Sequence, residues 1–194
     1  MRQRPATLVT LLAVALLAGC ATPYGRARTA LAEGRYDEAA SGFEEILTGH
    51  PDRVDALVGL GKARYKLGAF DDAITALTRA AAQAPKSETA RLYLGLSYLQ
   101  KGEDGPAEEH FKALLGLAPH PRLAAQTNRA LEVMRSDHLA KDVRAFIAAS
   151  LEDEADWARE LRQAAQYASP LPAFYWYRPF GPCFTTRSGR LVCY

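Results

Sequence analysis

Displaced by 34 residues, this sequence falls on itself. Gly34, Gly68 and Gly102 come into line, as do Ala39, Ala73 and Ala107, then Phe43, Leu77 and Phe111. Pro51, Pro85 and Pro119 close the series, and upstream Gly61 meets Gly95 and Ala27. A period of this length marks a chain built from small stacked units, none of which buries its apolar face alone. The clearest copy is VDALVGLGKARYKLGAFDDAITALTRAAAQAPKS, residues 54–87. Each unit reads as two helices. Ala27, Gly61 and Gly95 are placed where the first helix crosses the second, with Ala39, Ala73 and Ala107 facing them. Bulk there would force the axes beyond the usual separation of about 8–10 Å. Gly34, Gly68 and Gly102 fall in the turns, where a left-handed backbone suits glycine. The prolines stop the second helix. Tyr36, Phe70, Phe43, Leu77 and Phe111 are expected to fill the seam between neighbouring units.

These in-register copies resemble the tetratricopeptide repeat (TPR). The resemblance covers residues 20–121 and implies an all-α fold: three repeats in an α–α superhelix. Gly105-Pro106 departs from the pattern; proline is tolerated in a first helical turn, so Asp104 reads as the cap there. Beyond Pro121 the register decays, with Asn128 and Arg129 where the family has leucine and a small residue. Leu123, Thr127, Ala130, Leu131 and Met134 still share one helical face. A further helix is predicted from Ser136, with Leu139, Val143, Phe146, Ile147 and Leu151 on one side. Ser150 to Asp153 reads as a variant capping box opening an acidic helix to about Tyr167. Residues 122–168 are therefore expected to form a degenerate fourth pair with capping helices, or a helical hairpin with a separate role.

The start of the chain is different in kind. MRQRP carries Arg2 and Arg4 and no acid; an apolar run follows and ends at Leu17-Ala18-Gly19-Cys20. A basic head, a short apolar stretch and small residues are the layout of a secretory signal. The ending resembles the lipobox of bacterial lipoproteins. That resemblance implies a signal peptide at residues 1–19, cleavage before Cys20, diacylglyceryl modification of its thiol and acylation of the new amine with a fatty acid such as palmitate. Two or more acyl chains anchor a protein stably. With Ala21 rather than aspartate next, family rules imply delivery to the outer membrane, facing the periplasm. The alternatives are a cleaved signal in which Cys20 is incidental, or a buried N-terminal helix.

From Ser169 the composition changes again. Residues 171–194 hold Arg178, Arg187 and Arg190 and no acid, together with Phe174, Tyr175, Trp176, Tyr177, Phe180, Phe184 and Tyr194. Pro170, Pro172, Pro179 and Pro182 forbid a long helix. CFTTRSGRLVCY reads as a small β-hairpin turning at Arg187-Ser188-Gly189. With Gly189 in the left-handed position, Thr186 faces Arg190 and, by equal steps outward, Cys183 faces Cys193. In an oxidising compartment that pair is expected to form a disulfide, which would hold a hairpin otherwise marginal in water. Three roles remain open for the rings of 169–194: closing the core on the last helices, filling the chain's own groove, or forming a docking patch at Phe174, Tyr175, Trp176, Tyr177 and Arg178.

The resemblance also implies a groove lined by first helices: Arg28 from one unit, Val58, Lys62, Tyr65 and Lys66 from the next, and Leu92, Leu96, Leu99 and Gln100 from the third. Some family members clamp a peptide carboxylate with lysine and asparagine at set places; those places hold Val58 and Leu92, so that clamp is absent. An apolar stripe edged with cations suits an amphipathic helix or an extended peptide with some acids. Leu92 and Leu96 read equally well as contacts to the neighbouring helix.

Other chemistry finds little support. Of 24 basic side chains, Arg2 and Arg4 leave with the signal, so 22 face 22 acids and no basic run points to nucleic acid. His50, His110, His120 and His138 have no metal-ligand spacing, and none adjoins a serine or cysteine in a nucleophile setting. No phosphate-cradling glycine loop occurs. No cofactor, metal or enzymatic activity is expected. The expected role is a membrane-tethered scaffold that binds a protein or peptide client in the bacterial envelope. By resemblance alone, the candidates are a pilotin-like assembly factor for a type IV pilus or secretion machine, or an adaptor recruiting peptidoglycan-processing enzymes. A reading from another class makes the tail saccharide-binding or catalytic, with Trp176 and Tyr177 as stacking platforms.

Overall fold

The computed structural model describes residues 22–135, 139–167, 183–185 and 191–193. Helices α1 (Pro23–Ala32) and α2 (Tyr36–Gly49) form the first hairpin. The second is α3 (Val54–Lys66) with α4 (Phe70–Gln83), and the third α5 (Glu88–Lys101) with α6 (Asp104–Gly116). α7 (Pro121–Met134), α8 (Lys141–Tyr167) and the strands β1 (Cys183–Thr185) and β2 (Leu191–Cys193) follow. The fold is the all-α TPR type. The chain divides into two compact units, Met1–His110 and Phe111–Tyr194.

The turns repeat to the atom. Gly34, Gly68 and Gly102 have φ of 79°, 76° and 84°. In each hairpin the residue after the glycine donates its N–H back across the turn: Arg35 to the Ala30 carbonyl, Ala69 to Arg64 and Glu103 to Tyr98, all at 2.9 Å. This six-to-one bond satisfies a carbonyl that the helix end would leave bare. α6 starts at Asp104 as its first helical residue, so Glu103, not Asp104, takes the cap position, and Pro106 falls inside the first turn. Ala118, with φ 52°, is the one non-glycine residue at positive φ among those described. It lies just where the 34-residue register lapses.

Packing in the first unit rests on size matching. Ala39 and Ala73 are fully buried, but the closest approaches lie about one turn further along the second helix than the sequence predicts. A Cβ on Gly42 would come within 2.9 Å of Ala27 Cβ, and one on Gly61 would overlap Leu77. Leu77 therefore works inside its own hairpin rather than only in the seam. Phe43 does both: its ring lies edge-on to Tyr24, centroids 5.9 Å apart, and fills the space a Cβ on Gly59 of the next hairpin would need. Phe70 likewise meets Tyr65 of its own hairpin at 5.9 Å. Burying side chains such as Leu57, Leu77 and Leu94 contributes about 1.5–3 kcal/mol each.

In the second unit α7 and α8 pack together. His120 caps α7, its Nδ1 accepting the Arg122 N–H at 3.3 Å. Thr127 is buried and donates to the Leu123 carbonyl at 2.7 Å. α8 is one continuous helix of 27 residues, not two. Ser150 does not cap: its hydroxyl donates to the Ile147 carbonyl at 3.0 Å and accepts from Gln126 Nε2 at 2.9 Å. Ile147, Leu151, Ala158 and Leu161 face inward, whereas Phe146, expected on that face, is 72% exposed. β1 and β2 pair antiparallel with Cys183 opposite Cys193 and Thr185 opposite Leu191.

Candidate protein-binding surface

The first helices of the hairpins lie against one another: α3 touches both α1 and α5. α2 lies against α1 and α3, and α4 against α3 and α5. The first unit thus has an inner layer of first helices and an outer layer of second helices, which is why residues 34 apart on α1, α3 and α5 share a row.

Within that inner layer a ring-and-cation cluster forms. Tyr65 and Tyr93 meet edge to face at 5.3 Å, Lys62 Nζ sits 4.9 Å from the Tyr93 ring centre, and Lys66 Nζ lies 5.9 Å from that of Tyr65. Cations over ring faces are attracted by the ring quadrupole. Arg28 and Lys66 are exposed; Val58, Lys62 and Gln100 are half-buried. Tyr65 is buried, and Leu92, Leu96 and Leu99 are 2%, 0% and 0% exposed. The burial of Leu92 and Leu96 fits packing within the fold; the accessible part of the stripe is carried by α1 and α3, with Gln100 on α5.

Other cations are turned to the outer layer. Arg64 on α3 pairs with Glu44 on α2, and the hydrogen bond it donates to the Glu44 carboxylate raises its pKa. Lys101 on α5 reaches Asp71 on α4 and Glu103, both at 2.6 Å, and these bonds raise its pKa. Near the start of α1, Arg53 binds Asp55 through two bonds of 2.7 and 3.0 Å and stacks 4.8 Å from the Tyr24 ring centre. The Asp55 carboxyl is held below its ordinary pKa by that arginine, and burial, then Asp55, pushes the Tyr24 phenol up. Tyr24, Glu45, Ile46, His50 and Arg53 border a half-open cavity of about 400 Å³.

In the second unit Trp157 is the anchor. Arg122 lies 4.2 Å above its ring, His120 meets it edge-on at 4.9 Å, and Arg122 bonds Glu154 at 2.8 Å. Nothing in the sequence singled out this group, because its members meet only when α7 and α8 pair. No cluster of three or more histidine, cysteine or acidic side chains among the described residues could hold a metal ion. Cys20 and the tail patch Phe174, Tyr175, Trp176, Tyr177 and Arg178 lie outside the described residues. No described helix is long and apolar enough to cross a membrane.

The model of the tetratricopeptide repeat family matches residues 24–88 and 59–120, together half of the chain. The protein belongs to that family. The protein CTR9 homolog of Arabidopsis thaliana is 31% identical over 96 residues; the match takes in 49% of this chain and 9% of that protein. The chain thus spans about a tenth of the length of that curated relative. Among solved structures, the Yersinia enterocolitica type III secretion chaperone SycD, in complex with a peptide of the translocator YopD, aligns with a TM-score of 0.55. It is 25% identical and shares 58% of this chain and 89% of its own. A type III secretion complex from Aeromonas hydrophila aligns at 0.56 with 26% identity, over 68% of this chain and 96% of its own.

Proposed function

We propose that this protein is an interaction scaffold that holds a segment of another protein against the inner face of its helical hairpins. The observation that carries the reading is the row formed by Arg28 on α1 and Val58, Lys62 and Lys66 on α3, set beside the Tyr65–Tyr93 pair. Charged and apolar groups lie side by side there on a frame of packed helices, a combination that suits recognition of a peptide. A chaperone of similar fold, 25% identical, is known with a translocator peptide bound.

The site of action is the bacterial envelope. The ending Leu17-Ala18-Gly19-Cys20 supports lipid attachment at Cys20 and tethering to the outer membrane on its periplasmic side. Cys183 and Cys193, opposite one another across the strand pair, are the natural disulfide there. The work is assembly or holding of a client of an envelope machine, in the manner of a pilotin. Palmitate label taken up by the protein and lost in Cys20→Ser is the expected sign of the anchor; label that persists contradicts it.

Photocrosslinking in living cells tests the binding itself. A photoreactive residue at Val58 should yield a discrete protein adduct, and the same residue at the exposed Thr75 of α4 should not. Equal labelling from both positions, or none from Val58, would remove the scaffold reading.

A further inference from the structure

The cavity at the start of α1 plays no part in holding a protein client. Its floor is apolar: Ile46, 8% exposed, and the ring of Tyr24, which stands edge-on to Phe43. Its rim is polar and carries both signs, through Thr22, Glu45, His50 and Arg53. A second, more open hollow of about 440 Å³ shares Gly49, His50 and Arg53 with it. The rim is pinned from several sides. Arg79 on α4 donates to the Pro51 carbonyl at 2.6 Å, and the Arg53 N–H to the His50 carbonyl at 3.1 Å. The Thr22 hydroxyl caps α1 by accepting from the Gly25 N–H at 3.1 Å. Asp55 holds the Arg53 guanidinium through Nε and Nη2, and the Tyr24 ring lies beside it.

Covalent geometry ties this cavity to the anchor. Cys20 precedes Thr22 by two residues, and two residues of extended chain span at most about 7 Å. An acyl group on Cys20 therefore holds the rim at the bilayer surface, among the headgroups. We infer that the cavity receives a zwitterionic phospholipid headgroup of the phosphoethanolamine type, its phosphate on Arg53 and His50 and its ammonium on Glu45. The inference rests on the lipid-tether reading and adds the lipid chemistry at the anchor. A guanidinium fork matches the geometry of phosphate. The ammonium suits Glu45 and the end of α2, where the helix dipole is negative. A lone anion fits less well, because Asp52 borders the second hollow, Asp55 lies against Arg53 and Glu45 stands on the rim. Choline has no N–H to give the Glu45 carboxylate, so ethanolamine is preferred. Tyr24 adds the apolar ring and polar tip that suit a membrane–water boundary.

The test is photocrosslinking of the full chain, produced in cells with its lipid and reconstituted into vesicles of equal parts phosphatidylethanolamine and phosphatidylcholine. The photoreactive residue is placed at Gly49, which borders both hollows and has nothing within 4 Å of a notional Cβ. Phosphatidylethanolamine adducts should outnumber phosphatidylcholine adducts several-fold, and Glu45→Gln should remove that preference. Arg53→Gln should lower both yields, with circular dichroism confirming that each variant remains folded. Equal capture of the two lipids with Glu45 in place overturns the inference. Capture abolished by added inorganic phosphate overturns it in favour of a free-anion site. No lipid adduct from a chain that carries palmitate on Cys20 overturns it and leaves the tether standing. Absence of the palmitate label is the separate result that removes the tether itself.

Discussion

The ring of Phe43 occupies the space that a side chain on Gly59 would need, so one repeat is keyed into the next by a large residue opposite an absent one. At the position equivalent to Gly59 the following repeat carries Tyr93, and at that of Phe43 it carries Leu77. The larger partner is thus not fixed to one helix. Gly59→Ala should destabilise the protein by about 1–3 kcal/mol through overpacking. Combining it with Phe43→Leu should recover much of that loss, because the two sites touch. Urea unfolding of the two single variants and the double variant measures the coupling; strict additivity would contradict the contact.

The turn glycines make a different prediction. Gly68 has no atom within 4 Å of a notional Cβ, so space does not forbid a side chain there; its φ of 76° does. Gly68→Ala should cost about 1–2 kcal/mol, the penalty for a left-handed residue. Gly49 is equally open, but ends α2 in ordinary helical geometry. Gly49→Ala should be neutral or stabilising by up to about 1 kcal/mol. Thermal melts of the two variants should therefore move apart.

α8 can be tested at the residue that misleads the sequence reading. Proline inside a continuous helix costs about 3 kcal/mol or more, whereas at a helix start it is tolerated. Ser150→Pro should therefore be severely destabilising. Phe146→Ala, at a site 72% exposed, should leave stability nearly unchanged, and Leu151→Ala, at 0%, should cost about 2–5 kcal/mol. A benign Ser150→Pro would restore the two-helix picture.

His110 stacks on Tyr98, the rings 13° from parallel and 5.5 Å apart. Burial, with a further push from Arg91, holds its pKa below the ordinary 6.5, while Glu109 acts weakly the other way. The unfolded chain therefore takes up this proton more readily than the folded one. The stability it contributes is fully present above about pH 6.5 and falls as the pH drops through that value toward the folded pKa. His110→Asn should flatten the acid side of the urea-midpoint profile between about pH 7 and pH 5. An unchanged slope contradicts the assignment.

Much of the fold is legible because its determinants are local. Gly34, Gly68 and Gly102 fix turns through their own φ, and the prolines mark where second helices stop, so a linear comparison finds both. What escaped depends on residues that meet only in three dimensions. Gly59 is invisible in the sequence because its partner, Phe43, lies in another hairpin. Ser150 imitates a cap, yet in the interior of α8 its hydroxyl is satisfied by Ile147 and Gln126, and nothing local reveals that alternative. The candidate surface is read from repeat position, and burial divides it: Arg28 is exposed and Lys62 half-buried, while Leu92, Leu96 and Leu99 are enclosed. A repeat position states which layer a residue joins, not what lies over it.

The central claim is that the inner layer of first helices is the working face. Hydrogen–deuterium exchange of the full chain, alone and with the client segment identified by the Val58 crosslink, tests it most directly. Slowed exchange should concentrate in α1 and α3 and leave α2 and α4 unchanged. Protection confined to α2 and α4, or an exchange pattern indifferent to the client segment at saturating binding, would contradict the account.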